Sequence, residues 1–185
     1  MARVSVKIFS VLCGVVGGWA SALSFIDSVG SNPAGAAGNW RMWDLASGTA
    51  SNPYARAHFL IEGRVPPAQS LFQVYTNSLD DDGNSLLSSC VYRISASDIE
   101  ARWWSLSVGP PGSLDKDSSA AVTSDEVVRG PDNSLSVALA RYPASGNWIR
   151  PAGEGNLTIQ LVVSNTDGLQ AAGDLKLPSI QRVGC

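Results

Sequence analysis

Histidine is almost missing from this chain: His58 is the only one among 185 residues. A Ser-His-Asp or Cys-His nucleophilic site would have to be built around that single imidazole. Cysteine is scarce too, and Cys13, Cys90 and Cys185 share no short spacing of the kind that holds zinc. Basic residues never gather into a patch, which argues against a nucleic-acid partner. There is no phosphate-cradling glycine loop in the body of the chain and no long acidic or low-complexity run. The glutamates Glu62, Glu100, Glu126 and Glu154 are scattered, so spacing pairs no two of them for glycoside hydrolysis. The expectation is a protein with no catalytic constellation, no bound metal and no cofactor.

What the sequence does have is an apolar beginning. From Ile8 to Ile26 no residue is charged, while Arg3 and Lys7 precede the block and Asp27 follows it. As a helix it would measure roughly 28 Å, close to the ~30 Å hydrocarbon core of a bilayer. The flanking charges favour an N-terminus kept in the cytoplasm, with everything from about Ser28 delivered across the membrane. A cleaved signal peptide reads the same residues differently, with Ala20-Ser21-Ala22 as a small-residue exit. Leu23, Phe25 and Ile26 carry the apolar character past such an exit, and favour an uncleaved anchor over residues 1–27. Localisation is then expected at the inner (cytoplasmic) membrane, single-pass, with a periplasmic domain. Gly14 and Gly18 form a GxxxG, a hint of helix pairing that a glycine-rich anchor explains equally well.

After Lys7 the chain holds 11 Lys and Arg against 16 Asp and Glu, a mildly acidic net of −5. Residues 28–50 read as a juxtamembrane linker broken by Gly30, Pro33, Gly35 and Gly38. Trp40 and Trp43 either begin the packing of the domain or sit at lipid headgroups. The domain itself is expected over residues 51–185. Asn52 as N-cap, Pro53 in the first turn and Gly63 after the end predict a helix over 53–62. Tyr54, Ala57, His58 and Ile61 fall on its apolar face.

Beyond it the period changes to two. Phe72, Val74 and Thr76 alternate with Gln73, Tyr75 and Asn77. Cys90, Tyr92 and Ile94 alternate with Val91, Arg93 and Ser95. Trp104-Leu106-Val108, Leu135-Val137-Leu139 and Leu157-Ile159-Leu161-Val163 follow the same rule. Five such runs separated by Gly, Pro, Asn and Asp clusters predict an all-β antiparallel sandwich with one short peripheral helix. Gly109–Pro131 reads as a long loop with one short strand near Ala121–Thr123. In an oxidising compartment Cys90 and Cys185 invite a disulfide; two buried free thiols are the alternative.

Several stretches taken together, NPYARAHFLIEGRV, DDDGNSLLSSCVYRI, ARWWSLSV, TSDEVVRGPDNSLSVALARYPASGNWIRP and LPSIQRVGC, resemble the family called domain of unknown function 1214. RWWSL followed some forty residues later by GNW carries most of the likeness, which covers most of residues 50–185. The resemblance implies an antiparallel sandwich of jelly-roll character behind one N-terminal anchor. It also implies a companion, domain of unknown function 1254, as an envelope protein partner, and no established activity. One segment departs from the family: Gly109–Ser119 is proline-rich and lacks the Arg-Tyr-Ser segment of longer relatives.

Trp103 and Trp104 are adjacent in a strand, so they face opposite ways. Trp104 shares parity with Leu106 and Val108 and belongs to the core; Trp103 points outward or under a loop. With Arg102, Asn147 and Trp148 it makes a candidate binding groove for a glycan or a protein, against the plainer reading that a loop covers it. The acidic turn Asp80–Asn84 invites calcium, but Gly83 directly after Asp82 breaks the loop spacing and favours a hairpin turn. His58 reads as a structural histidine. Three functional classes remain. One is a non-catalytic envelope module tethered through residues 8–26 and working with a protein partner; another is a glycan-binding sandwich using Trp103 or Trp148. The third is an envelope carbohydrate-active enzyme.

Overall fold

The chain begins as α1, Ala2–Gly30, and within it Val6–Ile26 is apolar enough to cross a membrane. None of that 21-residue stretch is buried by the protein itself. At 1.5 Å per residue it is about 30 Å long, the hydrocarbon thickness of a bilayer. Two of its hydroxyls are satisfied internally: that of Ser10 donates to the Val6 carbonyl and that of Ser21 to the Gly18 carbonyl. Back-bonding of this kind removes the cost of a bare hydroxyl in an apolar medium. Cys13 is exposed on the same helix with a free thiol. In this computed structural model the described residues are 2–30, 35–42, 53–61, 72–97, 99, 101–111, 120–164 and 175–185.

The helix expected at 53–62 is α2, Pro53–Ile61, and it belongs with α1 to one compact unit. Tyr54 meets Phe25 of α1 edge-on, with ring centroids 5.3 Å apart. The expected burial of its apolar face is not found, since Tyr54 and Ile61 are both exposed, as is Leu60. The side chain of His58 lies outside the described residues.

All the described strands belong to the second unit. They are β1 Gly35–Ala37, β2 Trp40–Met42, β3 Phe72–Asn77, β4 Val91–Ala96 and β5 Trp104–Gly109. Then come β6 Ala120–Thr123, β7 Leu135–Leu139, β8 Asn147–Ile149, β9 Thr158–Ser164 and β10 Ser179–Gly184. Two sheets result, one ordered β1-β2-β3-β9-β5-β6 and the other β10-β4-β7-β8. Every pairing is antiparallel except β7 with β8. The domain is thus a mostly β, two-sheet structure.

One hydrophobic core joins the sheets. Trp104, Leu106 and Val108 of β5 pair with Val163, Leu161 and Ile159 of β9, and all six are buried. Tyr92 and Ile94 of β4, Val137 and Leu139 of β7, and Ile180 of β10 supply the other side of the same cluster. All of these but Ile180 are the alternating residues that the sequence singles out, because branched and aromatic side chains at period two define one inner face. In β3 the inner face is the Gln73-Tyr75-Asn77 set: Tyr75 lies opposite Leu161 and Asn77 opposite Ile159. The register with β9 fixes this choice, since a one-residue slip would turn every side chain of β3 over. The Tyr75 hydroxyl donates to Gln73 Oε1, and burial pushes its pKa above the ordinary tyrosine value of 10.0. A folded phenol with a raised pKa favours folding up to about pH 10, and that contribution fades as pH rises toward the folded value. Alkaline denaturation should accordingly soften above about pH 10 in the native chain and shift to higher pH in Tyr75→Phe.

Residues 35–42, expected as part of the linker, form a hairpin on the edge of the larger sheet instead. The two-residue loop Gly38-Asn39 needs a positive φ, +60° at Gly38, which glycine adopts at no steric cost. Trp40 is buried and its Nε1 donates to the Pro178 carbonyl at 2.8 Å, so this tryptophan packs on the domain. Trp43 lies outside the described residues. The short strand expected near 121–123 is present as β6, and residues 112–119 of the loop before it lie outside the described set.

The chain end is fastened three times over. Cys90, buried at the start of β4, is bonded to Cys185 across 95 residues. The acidic stretch Asp80–Asn84 is a turn, with Gly83 N–H donating to the Asp80 carbonyl and Asn84 N–H to Asp80 Oδ1. From that turn the Asp81 N–H donates to the Ile180 carbonyl, and its Oδ1 accepts from the Ile180 N–H. Arg182 of β10 reaches back to Asp80 Oδ2 at 3.0 Å and lies over the Tyr92 ring.

Candidate functional site

The outer face of the four-stranded sheet carries a cleft of about 490 Å³. Gln181 of β10, Arg93 of β4, Ala138 of β7 and Trp148 of β8 stand in one row across the four strands, and of these Arg93 and Ala138 line the cleft. Because Tyr92, Ile94, Val137 and Leu139 turn inward, their neighbours in this row turn outward. Val91 and Val183 wall one side, and the segment Val128–Gly130 with Ala144–Asn147 walls the other.

Those walls are built rather than loose. Asn147 clamps the 128–130 segment with both ends of its amide: Oδ1 accepts from Val128 N–H, and Nδ2 donates to the Val128 and Ser136 carbonyls. The turn Gly130–Ser134 closes with Gly130 N–H donating to the Ser134 carbonyl, and Asn133 takes a left-handed φ of 56°. At Gly130 a Cβ would meet Ser134 Oγ at 2.5 Å, so glycine allows the close approach. Trp148 is half-buried, and its indole N–H donates to the Ala140 carbonyl at 2.8 Å.

Two guanidinium groups, Arg93 and Arg129, line the cleft, and no carboxylate does among its described residues. Arg129 is steadied by Asn133 Oδ1 at 3.3 Å. Arg93 takes part in none of the described ion pairs, which use Arg141 and Arg182.

The four residues proposed from sequence fall on both sheets. Arg102 and Trp103 stand at the entrance to β5 in the six-stranded sheet; Asn147 and Trp148 belong to β8 in the other. Trp104 is completely buried and Trp103 half-buried, as their opposite parity requires. Trp103 is tied down by its backbone, its carbonyl accepting from both the N–H and the hydroxyl of Ser164. The residue that sequence reasoning passed over is Arg93. Its only signal was an outward position between Tyr92 and Ile94, which any solvated arginine on a strand would share.

Other chemistry is thinly represented. No group of three or more His, Cys, Asp or Glu side chains suited to a metal ion occurs among the described residues. Glu126 accepts from the Thr123 hydroxyl and Glu154 pairs with Arg141, while Glu62 and Glu100 lie outside the described set.

No family model matches the chain, and no curated protein does. Among solved structures it is similar to the VPA0106 protein from Vibrio parahaemolyticus, with a TM-score of 0.55 at 15% identity over 73% of this chain. It covers 36% of that protein's length. An uncharacterised protein from Burkholderia cenocepacia is similar over 88% of this chain and 40% of its own, at 19% identity and a TM-score of 0.46. The first likeness is one of fold alone.

Proposed function

We propose that this protein is a membrane-tethered, extracytoplasmic β-sandwich module that works beside a partner in the cell envelope rather than as an enzyme. The observation that carries the reading is a pair of features in one chain. A 21-residue apolar helix that the protein does not bury stands ahead of a domain closed by a disulfide. Disulfides persist in oxidising compartments, and an unburied apolar helix of this length needs lipid. Arg3 and Lys7 before the helix then leave the N-terminus in the cytoplasm and the domain on the periplasmic side. The fold suits membership of the domain of unknown function 1214 family and a jelly-roll strand arrangement, and the partner is a protein of the companion 1254 type.

Affinity purification of the full-length chain, mildly crosslinked in its own membranes, tests this. A stoichiometric envelope protein that is lost when residues 1–27 are replaced by a cleaved secretion signal is the expected result. A chain recovered alone after crosslinking would remove the partner from the account.

A further inference from the structure

We propose that the cleft on the outer face of the four-stranded sheet binds a small carboxylate-bearing sugar, with Arg93 as its carboxylate anchor. Such binding does not depend on the membrane tether. Charge is the first ground. The whole chain is acidic, at −3, yet this cleft is lined by two arginines and no described carboxylate. Arg93, which enters none of the described ion pairs, therefore gives an oxyanion attraction here.

Geometry is the second. A guanidinium offers two parallel N–H donors that match a planar carboxylate, and Arg93 has no described partner that would have to be given up. It stands on a strand held between β10 and β7, so its backbone is fixed before any ligand arrives. The clamp of Asn147 on Val128 and Ser136 fixes the opposite wall in the same way.

The remaining lining distinguishes a sugar acid from a bare anion. Ser134, Ser136 and Ser145 place hydroxyls in the cleft, partners for ring hydroxyls that phosphate does not have. Ala138 and the walling residues Val91 and Val183 give an apolar surface for the C–H face of a ring. The volume, about 490 Å³, lies in the range of small-molecule sites.

Calorimetric titration of the detergent-solubilised full-length chain with glucuronate, glucose and inorganic phosphate tests the proposal. Glucuronate should bind, with glucose and phosphate each weaker by about tenfold or more, the loss expected when a charge-assisted or a hydroxyl contact is missing. Arg93→Gln should weaken glucuronate by a similar factor, and Arg41→Gln in β2 of the other sheet should leave it unchanged. Ala138→Phe, which fills the cleft from an outward position, should abolish binding with the circular dichroism spectrum intact. No binding of glucuronate by the native chain overturns the proposal. So does equal binding of phosphate or glucose, or an Arg93→Gln protein that binds like the native one.

Discussion

Replacing Cys185 by Ala should lower the unfolding free energy of the β domain by about 4 kcal/mol. The bond it removes closes a loop between residues 95 apart. On the loop-entropy account, cross-linking a chain over that distance costs the unfolded ensemble about 4–5 kcal/mol of conformational freedom. The effect therefore comes from the unfolded state more than from any contact at the bond itself. There is a local consequence as well: β10 is an edge strand whose last pairing, Gly184 with Val91, lies directly beside the bond. Without Cys185 that end should fray before the rest of the sheet opens. Urea denaturation of the full chain in detergent, with and without reductant, measures both. Reductant should destabilise the native protein by about the same ~4 kcal/mol and leave Cys185→Ala unaffected. A native protein indifferent to reductant would contradict the assignment of the bond.

Asp80→Ala should cost about 3 kcal/mol, several times what an ordinary surface ion pair is worth. The Asp80 side chain is only 1% exposed, and its partner Arg182 29% exposed, whereas Arg141 and Glu154 are 46% and 84% exposed. Removing the carboxylate leaves the Arg182 charge partly buried without its counterion, and also deprives the Asn84 N–H of its acceptor. Loss of a buried partner is expensive because the remaining group keeps its desolvation penalty. Asp80→Asn keeps the acceptor for Asn84 and should cost less. Asp80→Ala combined with Arg182→Ala should cost less than the two single changes added, since no charge is then stranded. Glu154→Ala, by contrast, should stay within about 0.5 kcal/mol of the native chain. Equal costs for Asp80→Ala and Glu154→Ala would mean that the Asp80 pair contributes no more than a solvated one.

The parts of this fold that the sequence discloses are those where apolar side chains recur at period two over four or more residues. β4, β5, β7 and β9 meet that condition, and their inner faces are the expected ones. The disulfide was legible as well, because only two cysteines follow the apolar leader. β8 and the hairpin β1–β2 have three residues per strand, too few for a period to show. In β3 the more apolar set, Phe72-Val74-Thr76, is not the inner one, because pairing with β9 turns Tyr75 and Asn77 inward. The helix at 53–61 has a clear cap and a clear stop, so its bounds were readable. What it would pack against was not, and it groups with α1.

The site was half legible for a related reason. Parity alone placed Trp103 outward and Trp104 inward, but which strands become neighbours is a long-range matter. β5 joins β9 and β6, while β8 joins β7, so Trp103 and Trp148 stand on separate sheets. Arg93 enters only once β4, β7 and β8 lie side by side and their outward residues form a row.

The most direct test of the tethered, extracytoplasmic reading is protease protection in spheroplasts of a Gram-negative host. The full chain would carry one epitope at its N-terminus and another after Cys185. The account predicts that both epitopes sediment with membranes and resist alkaline extraction. Added protease should then remove the C-terminal epitope and spare the N-terminal one. A C-terminal epitope protected until the membrane is dissolved, or a domain released in soluble form without residues 1–22, would contradict it.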